Sequence, residues 1–152
     1  MQNITRWMYR EKRPNKVARF LNNLSAAVYA WGIAPDWLAT LDVTGRKSGK
    51  TISLPVVIAI VGGERYLVSM LGEKATWVQN VRAAQGKAIL RAGRHEEIRL
   101  IDVPAEQRAP ILKVYLQRAP GARPHIPIDK DAPLSAFEAA AADYPVFHIV
   151  PA

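Results

Sequence analysis

Apolar and polar positions alternate with two different periods along this chain. From Asn15, Val17, Phe20, Leu21, Leu24 and Val28 recur at helical spacing and predict one helix with a single apolar face. Pro14 suits its first turn and Gly32 its stop. The pattern then changes to strands. Trp37–Thr44 is a candidate strand, and Ile52–Val61 is rich in β-branched residues and reads as a buried strand. Gly62-Gly63 is a two-residue hairpin signal before Arg65–Met70. Thr76–Gln85 returns to helical spacing, with Trp77, Val81 and Ala84 on one face. Lys87–Arg91 and Glu96–Val103 flank a turn at Gly93. In the second of these, Glu97 and Arg99 face outward against Ile98 and Leu100.

Pro104 opens a helix to Arg118 that Pro110 is expected to kink or divide. Residues 119–133, punctuated by Pro120, Pro124, Pro127 and Pro133, read as a rigid loop of functional length. A short helix, Leu134–Ala142, and a last strand, Val146–Val150, complete the chain. About six mainly antiparallel strands with peripheral helices give an α+β protein, and closing the sheet into a barrel would remove its exposed edges. The expected division is an N-terminal helical extension, residues 1–35, and a barrel domain, residues 36–152.

Composition narrows the chemistry. The chain has 152 residues and no cysteine, which excludes disulfides, thiolate catalysis and iron–sulfur clusters. His95, His125 and His148 are scattered without ligand spacing, so no metal site is expected. No apolar stretch is long enough to span a membrane, and no signal core opens the chain, which makes the cytoplasm the default compartment. A formal charge of +8 calls for an anionic partner. The basic, aromatic preface leaves open peripheral contact with the inner membrane surface.

One segment concentrates that charge. Val43-Thr44-Gly45-Arg46-Lys47-Ser48-Gly49-Lys50 packs three cations, two hydroxyls and two glycines between strands. Its spacing matches neither a Walker A loop nor a dinucleotide fingerprint. Two readings stand: a solvated basic hairpin turn, or a cradle in which backbone N–H groups and cations hold an anion.

The order of the signals then becomes distinctive. The basic turn Thr44–Lys50 is followed by an apolar strand with Pro55, the Gly62-Gly63 hairpin, Val68-Ser69-Met70-Leu71-Gly72, and Trp77-Val78-Gln79-Asn80-Val81-Arg82. Over about residues 40–150 this resembles the deazaflavin-dependent nitroreductase family, whose members have a split β-barrel and use coenzyme F420. The resemblance implies a cofactor with a deazaflavin ring, a phosphate and a glutamate tail. Arg46, Lys47, Ser48, Gly49 and Lys50 would hold the phosphate and tail, and Pro55, in the following strand, would be a further cofactor-binding residue. Ser69, Met70, Leu71 and Gly72 would present backbone groups to the ring edge. Trp77 is either a pocket wall or plain core. Asn80 is a cap, a tie between loop and helix, or a ligand contact. The chain departs from the family at Thr51 and Ile52, where a Pro-Arg pair is common, and at Leu71, where Lys is common, with Lys74 nearby.

With such a cofactor, hydride transfer to a quinone, nitroaromatic or enone requires orientation and exclusion of water rather than a catalytic triad. Tyr115 and His125 are the candidate groups for stabilising charge on the acceptor. Tyr115 also fits a helix-face core position, His125 fits a packing role or a pair with Asp129 or Asp131, and His148 reads as a satisfied strand histidine. FMN is the alternative cofactor. A non-catalytic carrier of deazaflavin or another hydrophobic ligand is the first competing class and a nucleic-acid-binding module, suggested by the charge and the barrel, the second. Against the second, the strands lack aromatics interleaved with cations, so nucleic acid is not expected as a partner. Monomer and homodimer both remain open.

Overall fold

The computed structural model describes residues 37–152, so the predicted N-terminal extension lies outside the described residues. Seven strands form one sheet: β1 (Leu38–Thr44), β2 (Thr51–Val57), β3 (Ala59–Val61), β4 (Glu64–Val68), β5 (Lys87–Arg91), β6 (His95–Asp102) and β7 (Val146–Pro151). Their order is β2-β1-β5-β6-β7-β4-β3, and every neighbouring pair is antiparallel. The helices are α1 (Thr76–Ala83), α2 (Ala109–Arg118) and α3 (Leu134–Ala140). The sheet curls into a half-barrel, which is the expected α+β split-barrel architecture.

The strand count is seven rather than about six because the run Ile52–Val61 is cut at Ile58. That one residue separates β2 from β3, yet these strands are the two opposite edges of the sheet. The Ile58 N–H donates to the Trp37 carbonyl at 2.7 Å, one step beyond the Leu38–Val57 pair, before the chain turns to join β4. Pro55 fits β2 because an edge strand leaves one side of its backbone without a ladder partner.

Alternation sorts the two faces. Leu41, Leu54, Leu90, Ile98, Leu100 and Phe147 point into the barrel and are buried. Asp42, Arg91, Glu97 and Arg99 lie on the outer side, where Asp42 accepts from Ser53 at 2.6 Å and from Arg91 Nε at 2.8 Å. Helix α2 lies across β3 and against α3, burying Ile111, Leu112, Tyr115 and Leu116.

Two helical expectations change. The Pro104–Arg118 segment is a separate 3-10 turn, Ala105–Gln107, followed by α2 with Pro110 in its first turn. Pro110 therefore starts the helix rather than bending it, because a first-turn N–H has no intrahelical acceptor to lose. The predicted Leu134–Ala142 helix ends at Ala140 and tightens into a 3-10 turn, Ala141–Asp143. Gly62 and Gly63, with φ of 59° and 79°, supply the two positive-φ residues of the predicted hairpin turn.

Helix α1 ends in a paired motif. Gln85 N–H donates to Arg82 O at 3.1 Å and Gly86 N–H to Val81 O at 2.9 Å, with Gln85 in the left-handed region at φ 58°. At Gly86 (φ 84°) a Cβ would lie 2.6 Å from the Leu100 carbonyl oxygen, which is backbone and cannot move aside. Substitutions at these neighbours should therefore act with opposite signs. Gln85→Gly is expected to raise stability by up to about 1 kcal/mol by relieving the αL conformation. Gly86→Ala should cost about 2–4 kcal/mol. Urea denaturation of both variants checks the contrast.

Candidate active site

The basic turn is more rigid than a solvated hairpin. Gly45 N–H donates to Lys50 O at 2.8 Å, Gly49 N–H to Gly45 O at 2.9 Å, and Lys50 N–H to Ser48 Oγ at 3.1 Å. Gly49 takes φ 73°, which glycine adopts without a Cβ penalty. Beneath the turn, a Cβ at Gly45 would meet Ser48 Oγ at 2.9 Å and Ile52 Cδ1 at 3.0 Å, so the turn packs directly on Ile52. These bonds commit the N–H groups of Gly45, Gly49 and Lys50 within the turn. The side chains of Lys47, Ser48 and Lys50 are exposed.

Arg46 is held from outside the turn. Its N–H and its Nη1 both donate to Asn80 Oδ1, at 3.0 and 2.8 Å. Asn80 is 1% exposed, on α1, and its Nδ2 has no partner among the described residues. Of the sequence readings for Asn80, the structure displays the tie between loop and helix. An unpaired buried amide donor costs about 1–3 kcal/mol.

Three residues along α1 from Asn80, Trp77 is 2% exposed and packs on Phe147 with ring centroids 5.7 Å apart. It is core on one side and wall on the other. A narrow cleft of about 20 Å³ is lined by Trp77, Pro55, Met70 and Tyr115 together with Leu54, Val56, Val57, Leu67 and Val68. Four predicted residues from four separate parts of the sequence thus meet in one apolar cleft. Tyr115 is both a buried helix-face residue and a cleft residue, and burial pushes its phenol pKa well above the ordinary value. Its hydroxyl is protonated near neutral pH, as an ordinary tyrosine's is, and burial moves its ionisation further from that range.

Met70 also borders a second, open groove of about 290 Å³, with Leu71, Gly72, His125, Asp143 and Tyr144. The strand-end loop that separates the two is tightly made. Ser69 Oγ donates to Gly72 O at 2.7 Å, Gly72 N–H returns to Ser69 O at 3.2 Å, and Ser69 N–H donates to Pro145 O at 3.0 Å. Ser69, wholly buried, is occupied in shaping this turn, so the groove is faced by Met70, Leu71 and Gly72. At Gly72 (φ 85°) a Cβ would come within 3.3 Å of Asp143 O, which explains how closely the loop approaches the end of α3.

Across the groove, the Tyr144 hydroxyl donates to the His125 carbonyl at 3.2 Å and ties the 119–133 loop to the start of β7. Arg108 supports the same corner, donating to Val103 O at 2.8 Å and Ala141 O at 3.0 Å. Sequence reasoning missed Tyr144 and Asp143, because a lone Asp-Tyr before a proline carries no spacing signal. The apolar lining of the cleft was legible only as a buried strand. His148 is satisfied as expected: Nε2 lies 2.6 Å from Glu64 Oε1, and the ring stacks on Tyr66 at 5.0 Å. Among the described residues, no cluster of His, Asp or Glu could hold a metal, and no helix is long and apolar enough to cross a membrane.

Burial lowers the His125 pKa below the ordinary value of 6.5. The neutral ring is the form the folded loop favours, so its contribution is full above 6.5 and is lost as pH falls from there through the lowered folded-state value. His125→Gln should therefore flatten the decline of Tm between about pH 7 and 5. A differential scanning series across that range, with an NMR titration of His125, checks the sign.

This arrangement, a cationic turn joined through one helix to an apolar cleft, can be set beside known proteins. Residues 11–130 match the F420H(2)-dependent quinone reductase family. No match was found among curated proteins. Among solved structures, an "F420-H2 Dependent Reductase (FDR-A)" superposes with a TM-score of 0.52 at 20% identity, covering 76% of this chain and 95% of that one. A protein described as a domain-swapped dimer gives 0.54 at 16% identity, covering 87% and 98%. A conserved hypothetical protein from Mycobacterium tuberculosis gives 0.53 at 14% identity, covering 88% and 79%. The structural likenesses establish the fold, and the family match covers most of the sequence. The chain belongs to the F420H2-dependent quinone reductase family and is an F420-dependent oxidoreductase of the split-barrel fold.

Proposed function

We propose that this protein passes a hydride from reduced F420 to a small electron-poor acceptor, a quinone, nitroaromatic or enone. The observation that carries this reading is the tether of the cationic turn to α1 through Asn80, because the same helix places Trp77 in the cleft. A fixed relation between an anion site and an apolar aromatic wall suits a ligand with a planar ring at one end and acidic groups at the other.

The residues present fit F420 by their chemistry. Lys47, Lys50 and Ser48 would take its phosphate and tail, with Arg46 held beside them. The cleft of about 20 Å³ between Pro55, Met70 and Trp77 is too small for a ring, so the ring would lie along the open groove of about 290 Å³, where Met70 gives an apolar wall and Leu71 and Gly72 allow close backbone approach. FMN finds no support in the family match. When bound, reduced F420 supplies the hydride; the chain's own task is placement, exclusion of water and control of charge on the acceptor. In this reading the Tyr115 hydroxyl, at the wall of the cleft, would donate to negative charge developing on an acceptor oxygen that reaches it. The loop bearing His125, pinned by Tyr144, shields the open groove from water.

Reduced F420 mixed with menadione should be oxidised faster with the protein than without it, as followed by F420 absorbance. Tight binding without acceptor-dependent oxidation would favour the carrier reading instead. Tyr115→Phe is expected to lower kcat about tenfold or more with the F420 Kd unchanged.

Lys47→Ala and Lys50→Ala should each weaken F420 binding roughly threefold to tenfold, and the loss should shrink at high salt because both groups are exposed. Fluorescence titrations at two ionic strengths check both points.

A further inference from the structure

Asn80 offers an anomaly that the fold alone does not explain. Its Oδ1 accepts from two donors of Arg46, and this fixes the amide's orientation, since both partners are N–H groups. Its Nδ2 is then left buried and without a partner among the described residues. Packing would be served better by an apolar side chain of similar volume, because the neighbours on α1, Trp77, Val78 and Val81, are themselves buried and apolar. The unpaired donor is retained where the other end of the same amide holds a cationic turn.

We propose that Asn80 is a positioning residue for the anionic half of the ligand. It acts through Arg46: one oxygen pins both the backbone of the turn and the guanidinium, and so sets where Lys47, Ser48 and Lys50 stand. The internal bonds of the turn hold its shape, the β1–β2 ladder carries its base as far as Thr44 and Thr51, and Ile52 packs beneath it. Among the described residues, the side-chain bonds that join the turn to α1 are those of Arg46 to Asn80. Losing them would let the tip of the turn shift away from α1. Affinity would then fall for the phosphate and glutamate tail and not for the ring, which meets other residues. This inference rests on the F420 reading above and deepens it.

The test is a pair of affinities. F420 and its deazaflavin core lacking phosphate and tail are titrated against wild type, Asn80→Leu and Asn80→Ala, with amide hydrogen exchange measured at Arg46. In the variants, the preference for F420 over the core should fall about tenfold, and the Arg46 amide should exchange faster. The Tm of Asn80→Leu should not drop, because the orphaned donor leaves with the amide. Should Asn80→Leu fail to fold, Asn80→Ala carries the same readouts. An unchanged preference, or equal loss for both ligands, would overturn the proposal. Wild type that binds neither ligand would instead refute the F420 reading. In that case inorganic phosphate replaces the cofactor: wild type must show NMR shifts at Lys47 and Lys50 that Asn80→Leu lacks, or the positioning role fails as well.

Discussion

A single residue holds this barrel in its shape. Ile58 separates β2 from β3, and those strands are the two outer edges of a seven-stranded sheet. A flat sheet cannot place its edges one residue apart, so the sheet must curl until they meet. The Ile58 N–H, bonded to Trp37 O, holds the corner on the β1 side. Helix α2 then covers β3, the short edge that would otherwise invite pairing with another chain. The cleft follows from the curl. Leu54–Val57 of β2 and Leu67–Val68 of β4 lie four places or more apart in strand order, yet they line one space, which Tyr115 of α2 closes.

Around that apolar space, charge is divided between duties. On the outer surface cations are matched: Arg91 to Asp42, Arg65 to Glu96, and Arg82 to both Glu73 and Asp102 while lying 5.3 Å over the Phe147 ring. Lys47 and Lys50, like Lys74, Lys87 and Arg99, have no carboxylate partner among the described residues, and they stand in a turn where the Gly45, Gly49 and Lys50 N–H groups are bonded internally. A positive field therefore remains around the exposed turn. One short helix, α1, joins that turn through Asn80 to the apolar cleft that Trp77 lines.

How much of this was legible beforehand depended on whether the signal was local. The basic turn, the Gly62-Gly63 hairpin and the alternation in β6 were readable because turn chemistry and period-2 patterning are properties of a few adjacent residues. Ile58 was not, since a corner within an apolar run leaves the run looking continuous, and only the pairing of β3 with β4 reveals it. Tyr115 was legible as core and as candidate, and it is both buried and in the cleft. Ser69 was readable as a site residue by position, but its hydroxyl is taken up with Gly72, a contact that no spacing rule announces. Pro55, Met70 and Trp77 were singled out by the order of motifs and Tyr115 by its hydroxyl, and only the fold shows that the four line one cleft. The extension 1–35 lies outside the described residues.

The departures from the family pattern acquire a physical meaning at Ile52. Its Cδ1 stands 3.0 Å from where a Gly45 Cβ would be, so this side chain forms the floor on which the basic turn rests. It is half-buried and pairs across the ladder with buried Val43. An arginine at this position would have to carry its charge past that floor or abandon the packing, and either change would loosen Gly45 above it. Apolar packing at 52 and a tether at Asn80 thus act on the turn from two sides, one from below and one from α1. The chain forgoes a further cation in this place and has instead a turn braced by packing and hydrogen bonds, with Lys47, Ser48 and Lys50 exposed at its tip. Leu71 follows the same logic at the other end of the site: it is half-buried beside Met70, extending the apolar wall of the groove where a lysine would have brought charge. The result is a sharper partition between apolar and cationic surface than the family pattern implies.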